Sequence, residues 1–238
     1  MDIGDIFGDA LVYPFNNIKA LVLYAVLGII AGIVGGTAVA SLVGALSTKG
    51  LASFAFDALS IVGIIVFVLL LFLIAGYALD IIKYGIERRP DGPGIDFGRQ
   101  VSNAIKLFVV DIVYYLVPLI IMLVLSLFLR NWLLSIIAII LFIVFALANF
   151  MAKCRLAKTD DLGYALAIGE AIGDISRVGI GKILATVIIV FVIVFIVVII
   201  LGLIAGINKT VASILLGIFS VYVIFFYNRA IGLLYSDV

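Results

Sequence analysis

Six apolar runs, each of twenty residues or more, decide what this chain can fold into. Crossing the hydrocarbon of a bilayer takes about 20 helical residues, and a water-soluble domain has no interior able to hide six such runs side by side. The fifth run is the extreme, because from Val187 to Leu201 it contains only Val, Ile, Phe and Leu. With 66% hydrophobic residues and a mean hydropathy of +1.44, most of the chain has lipid as its solvent. The expected fold class is all-α: a polytopic membrane protein, one integral membrane domain over 1–238. Six transmembrane helices are expected at about 18–46, 54–82, 107–129, 133–152, 183–206 and 211–234.

Two stretches outside these runs are amphipathic. Residues 2–17 set Asp2, Asp5 and Asp9 among Ile3, Ile6, Phe7, Ala10, Leu11 and Tyr13 at helical spacing, and Pro14 is expected to end that helix. Residues 160–176 open with Thr159, Asp160 and Asp161 as cap and first-turn acids, followed by Leu162, Ala165, Leu166, Gly169 and Ile172 at intervals of three and four. Both are expected to lie in the interface on the cytoplasmic side. The longest polar island, Gly76 to Lys106, carries Lys83, Arg88, Arg89, Arg99 and Lys106 around Pro90 and Pro93.

Orientation follows from the cations. Lys19, Lys83, Arg88, Arg89, Arg99, Lys106, Lys153, Arg155, Lys158, Arg177, Lys182 and Arg229 fall on one side, against Lys49, Arg130 and Lys209 on the other. The positive-inside bias therefore predicts cytoplasmic N- and C-termini in a multi-pass plasma-membrane protein. The same basic face would attract anionic headgroups of the lipid bilayer, while no basic tail points to nucleic acid. No cationic stretch precedes the first apolar run, so a cleaved signal peptide is not expected.

Histidine is absent and Cys154 is the single cysteine, which removes Cys/His zinc sites and histidine relays from consideration. No catalytic residue, cofactor or metal is expected. Gly92, Gly94 and Gly98 have the wrong spacing for a dinucleotide fingerprint, and Gly179-Ile180-Gly181-Lys182 lacks the distant glycine and the hydroxyl of a phosphate loop. Asp111 is the most informative polar residue, since a carboxylate within a span is costly unless paired or functional. Its candidate partners are Asn149, Lys153 and Arg155, and a coupling-proton or substrate site is the alternative. Asp57 is read as an outer-rim residue, and Asp80 as a helix-end acid paired locally with Lys83.

Gly28, Gly32 and Gly36, continued by Ala40 and Gly44, place a small residue at every fourth position of the first span. Such a face admits a neighbouring helix closely, either within the chain or from a membrane-protein partner or second copy. A weak internal repeat is also visible: Asp5-Ile-Phe-Gly8, Asp96-Phe-Gly98 and Asp161-Leu-Gly163 each open a polar stretch leading into a pair of spans.

Three features resemble a family of membrane proteins, found mainly in archaea, known as domain of unknown function 4013. They are Tyr13-Pro14-Phe15 closing the first amphipathic stretch, Gly76-Tyr77 with a basic continuation at Lys83, and the segment from Pro93 to Gly98 followed by Asn103-Ala104-Ile105-Lys106. The resemblance extends over nearly the whole chain and implies the same membrane topology, with no activity attached.

On the residues, the first functional expectation is a non-enzymatic scaffold or accessory membrane subunit packing through the glycine face. The alternative is a transporter or permease for a small hydrophobic or lipid-like solute. A lateral cavity reaching Asp111 would favour transport, and an open glycine groove would favour a partner.

Overall fold

In a computed structural model the described residues are 1–47, 51–129 and 132–238, with side chains described except at 45–47, 51–57, 59, 209, 210 and 213. Among them the fold is helical throughout: α1 (Ile3–Asn16), α2 (Ile18–Ser47), α3 (Leu51–Ile86), α4 (Phe97–Ser126), α5 (Trp132–Thr159), α6 (Leu162–Ala165), α7 (Ile168–Val178), α8 (Ile180–Ile207) and α9 (Lys209–Tyr235). Six of these, α2, α3, α4, α5, α8 and α9, are long and apolar enough to cross a membrane. Lys49, Arg130 and Arg130's neighbour Asn131 lie outside the described residues, as does the side chain of Asp57.

The helices differ from the sequence expectation where capping chemistry intervenes. Pro14 lies inside α1 rather than ending it. The helix stops after Asn16, where Asn17 leaves helical geometry, donates its backbone N–H to Pro14 O at 3.2 Å and its amide to Tyr13 O at 3.1 Å. Asn17 thereby satisfies two of the last-turn carbonyls of α1, while Pro14 removes only the N–H that would have bonded the Ala10 carbonyl.

Helix α4 begins ten residues before the span expected at 107, because the Asp96 carboxylate caps it by accepting from Arg99 N at 3.0 Å. Its first turns bury Gln100, Asn103 and Ala104. The stretch at 160–176 is two helices rather than one. Arg155 Nε donates to Tyr164 O at 3.0 Å and Tyr114 Oη to Ala165 O at 2.9 Å, so the carbonyls that would continue α6 are already occupied. Asp161 caps α6 and Asp160 turns the chain with φ +57°. The buried face of α7 is Ala171, Asp174, Ile175 and Val178, not the stripe containing Gly169 and Ile172; Ile172 is exposed.

The spans form three hairpins, α2–α3, α4–α5 and α8–α9, whose second helices approach one another at the centre. Each hairpin's second helix receives the polar opening segment of the next. The first turns of α4 pack on α3, α6 and α7 pack on α5, and α1 packs on α9, which closes a ring. Helix α2 also packs on α9 and α4 on α3, whereas α8 packs on α9, α7 and α1. At the end carrying both termini, α3 and α9 touch backbone to backbone, since a Cβ added to Gly85 would sit 2.8 Å from Gly232 Cα, and Gly76 of α3 lies directly against the Gln100 carbonyl of α4. The aromatic core beside this crossing includes Tyr24 stacked on Tyr77 at 4.3 Å.

Candidate functional site

The pieces of the candidate site come from one face of α5. Asn149 and Lys153 are four residues apart and so stack on that face, where both meet Asp111 of α4. Lys153 Nζ is 2.8 Å from Asp111 Oδ1, and Asn149 Nδ2 donates to the same oxygen at 2.7 Å. The ion pair is half-exposed, with 31% and 36% of the two side chains accessible, while Asn149 is buried and its Oδ1 has no hydrogen-bond partner among the described residues.

Arg155 does not join this group. Two residues beyond Lys153, it faces the opposite side of α5, where Nη1 lies 2.9 Å from Asp174 Oδ2 and the guanidinium sits 3.8 Å from the centre of the Tyr164 ring. Asp174 also accepts from Tyr235 Oη at 2.6 Å and from Arg177 Nη1 at 2.8 Å. Both Arg155 and Asp174 are fully buried, so this is a pin holding α6 and α7 to α5 and α9. A second pin repeats the device: buried Arg229 of α9 donates to Asp9 of α1 at 2.6 and 3.1 Å, and to the carbonyls of Tyr84 and Arg89.

The sequence signal for the first pin was Asp174, a carboxylate at an apolar-stripe position of α7, which implies a buried cation opposite.

Beside Asp111 the chain opens a lateral cavity of about 260 Å³ between α3, α4, α5 and α9. Leu71, Phe72 and Ala75 of α3 and Leu107 and Phe108 of α4 give it an apolar wall; Asp111, Lys153 and Asn228 give it a polar one. A smaller recess of about 70 Å³ adjoins it, lined by Asp80, Lys83, Arg99, Asn103 and Asp160, and Leu79 lines both. Asp80 takes its direct partners across helices, and Lys83 acts on it through space without an ion pair. Arg99 Nη2 approaches Asp80 at 3.1 Å and Asn103 donates to it at 2.9 Å, because the capped first turn of α4 brings both alongside α3.

The glycine face is divided. A Cβ on Gly28 would meet Val221 at 3.2 Å, but one on Gly32 or Gly36 would meet nothing within 4 Å among the described residues, and Gly44 is half-buried at the end of the span. Contact with α3 falls to the neighbouring face, where a Cβ added to Gly35 would meet Phe67 at 2.9 Å and one added to Gly63 would meet Ala38 at 2.8 Å. One residue is a rotation of about 100° on a helix, and the α2–α3 seam selects that adjacent stripe. Gly28 and Gly32 instead line an open apolar groove of about 840 Å³ with Phe67, Gly217 and Val221.

A family model described as "Protein of unknown function (DUF4013)" matches residues 58–207. The chain belongs to this family. The match runs from α3 to α8, narrower than the near-whole-chain resemblance read from the motifs, and leaves Tyr13-Pro14-Phe15 outside it. Within the DUF4013 match lie Asp111, Asn149 and Lys153 and every residue of the smaller recess, whereas Asn228, Gly28 and Gly32 lie beyond it. No curated protein and no solved structure matches the chain.

Proposed function

We propose that this protein is a non-enzymatic membrane protein that admits a lipid-like amphiphile sideways into the cavity between α3, α4 and α5. The observation carrying this reading is that one lateral opening combines an apolar wall with the Asp111–Lys153 pair. Ligand sites are concave, mostly apolar and furnished with a few convergent polar groups, and polar groups within membrane spans mark substrate routes. The excess of cations beside both termini supports a cytoplasmic position for that end in the plasma membrane.

The test is photolabelling of the full chain in vesicles with a lipid bearing a diazirine on its acyl chain. Label concentrated in 71–82 and 104–111 is the expected outcome. Label spread evenly over the spans, with α8 as heavily marked as α3, would sink the cavity reading.

A second reading, an accessory subunit docking through α2, is favoured by the uncovered backbone at Gly32 and Gly36 beside the larger groove. Gly32→Leu fills that groove and would dissociate such a complex on a native gel while leaving lipid labelling unchanged.

A further inference from the structure

The charges around the seam between α3, α4 and α5 do not balance, and the surplus sits in one place. Arg99 is matched by Asp80, Lys153 by Asp111, and Lys106 by Asp160 at 2.6 Å. Lys83, exposed at the rim of the smaller recess, has no carboxylate within 4.0 Å among the described residues. At about 70 Å³ the recess exceeds the share of one water molecule, roughly 30 Å³. Beyond Leu79 the lining changes to the Asp111–Lys153 pair and then to Phe72 and Phe108, whose rings are 6.2 Å apart.

From Lys83 to Leu71 is twelve residues of α3, or about 18 Å along the helix. Over that distance the seam runs from a cation without a direct ion pair among the described residues, through paired polar groups, to aromatic and aliphatic wall. A glycerophospholipid has the same order of chemistry: phosphate, glycerol and ester oxygens, then hydrocarbon.

Resting on the lateral-cavity reading, we propose that the occupant is an anionic phospholipid, its phosphate beside Lys83 and Arg99 and its chain lying along the wall that Phe72 and Phe108 form together. Lys83 supplies the discrimination. Arg99 and Lys153 are committed to carboxylates and the phosphate is common to both lipid classes, so the preference comes from Lys83, which repels a choline cation but not the uncharged glycerol headgroup of phosphatidylglycerol.

The experiment uses the full chain with Trp132→Phe and Phe72→Trp, reconstituted in phosphatidylcholine vesicles with increasing brominated phosphatidylglycerol. Ile65→Trp, exposed on the same helix, is the bulk-lipid control. Quenching at position 72 is expected to favour brominated phosphatidylglycerol over brominated phosphatidylcholine about fivefold, while position 65 follows bulk composition. Lys83→Gln should reduce that preference to near one, and Lys83→Arg should restore it. Equal quenching at position 72 by both lipids, unaffected by Lys83→Gln, overturns the anionic assignment and leaves the cavity reading standing. If neither brominated lipid quenches position 72, the cavity reading fails with it. Relief of quenching by soluble glycerol phosphate would overturn the assignment to a lipid, because the recess would then accept the headgroup alone.

Discussion

The two ends of this molecule are held by different forces. At the end carrying the termini, the arginines Arg155 and Arg229 are buried, glycines bring α3 and α9 into backbone contact, and the ion pairs among the described residues gather there. Toward the other end the helices present Val, Ile, Leu and Phe outward, α2, α3 and α9 leave an open groove, and α8 has few buried residues. Lipid explains the contrast. Hydrocarbon tails solvate an apolar side chain as well as another helix does, so burial of Leu or Ile gives little net drive for helices to associate. Specific association has to come from polar pairs and close backbone packing. Both are concentrated where the helices emerge.

The largest effect should come from the buried pin. Arg155→Ala leaves the buried Asp174 with only the exposed Arg177 as its cation, and breaking a buried pair in this way costs up to roughly 3–5 kcal/mol. Expected is a large loss of stability on denaturant unfolding in detergent, with α7 becoming the first site cut by protease. Replacing Arg155 by Met and Asp174 by Leu together should cost less, since no unpaired charge is left inside. A double variant as unstable as the single one would mean that packing rather than charge makes the pin.

Next in size is Gly232→Val. Its side chain would meet the Gly85 backbone and the Ile82 carbonyl, and overpacking of this kind costs about 1–3 kcal/mol. The same change at Gly202, which has open space around it, should be silent. A comparable loss at both positions would erase the contrast between the two ends.

Much of this division is legible in the residues, though not which partner each charge takes. The six spans follow from run length alone, and the cation count already gathers the polar end. Asp111 with Asn149 and Lys153 is also within reach of helical spacing, because two of the three share one face of α5. Arg155 misleads because it is only two residues from Lys153 in sequence and yet almost opposite it around the helix. The pairing of Asp80 with Arg99 depends on where α4 starts, and that is set by a single cap at Asp96 lying before the apolar run. The glycine face misleads for a related reason. A small-residue stripe says that a helix can come close, and the side chains of α3, Phe67 among them, decide which stripe it uses.

A smaller effect is expected at the candidate site itself. Asp111→Asn removes a half-exposed pair and keeps an acceptor for Asn149, so its cost should be well below that of the fully buried Arg155 pin. Thermal stability should barely move, whereas the position-72 quenching described above should change if Asp111 orients the amphiphile. A loss as large as that of Arg155→Ala would move Asp111 from the ligand wall into the set of structural pins.

The smallest effect lies on the rim, at Asp91 in the polar connection between α3 and α4. Its carboxylate takes Arg89 Nη2 at 2.6 Å and Nε at 3.2 Å, and this hydrogen bonding holds its pKa below the usual carboxylate value of 3.8. A carboxyl depressed in the folded state stabilises it above the unfolded value, and that contribution disappears as pH falls through the folded value. Melting curves of the native chain and Asp91→Asn should therefore differ slightly and constantly above about pH 5, then converge as pH drops below 3.8. Both groups are exposed, so salt should shrink even the small difference. If the gap instead widened on acidification, or ignored salt, Asp91 would be acting on the Arg229 pin beneath it, whose guanidinium bonds the Arg89 carbonyl at 2.7 Å. The rim and the buried pin would then be one cooperative unit, and the boundary between the two kinds of charge pair would lie further out than burial alone implies.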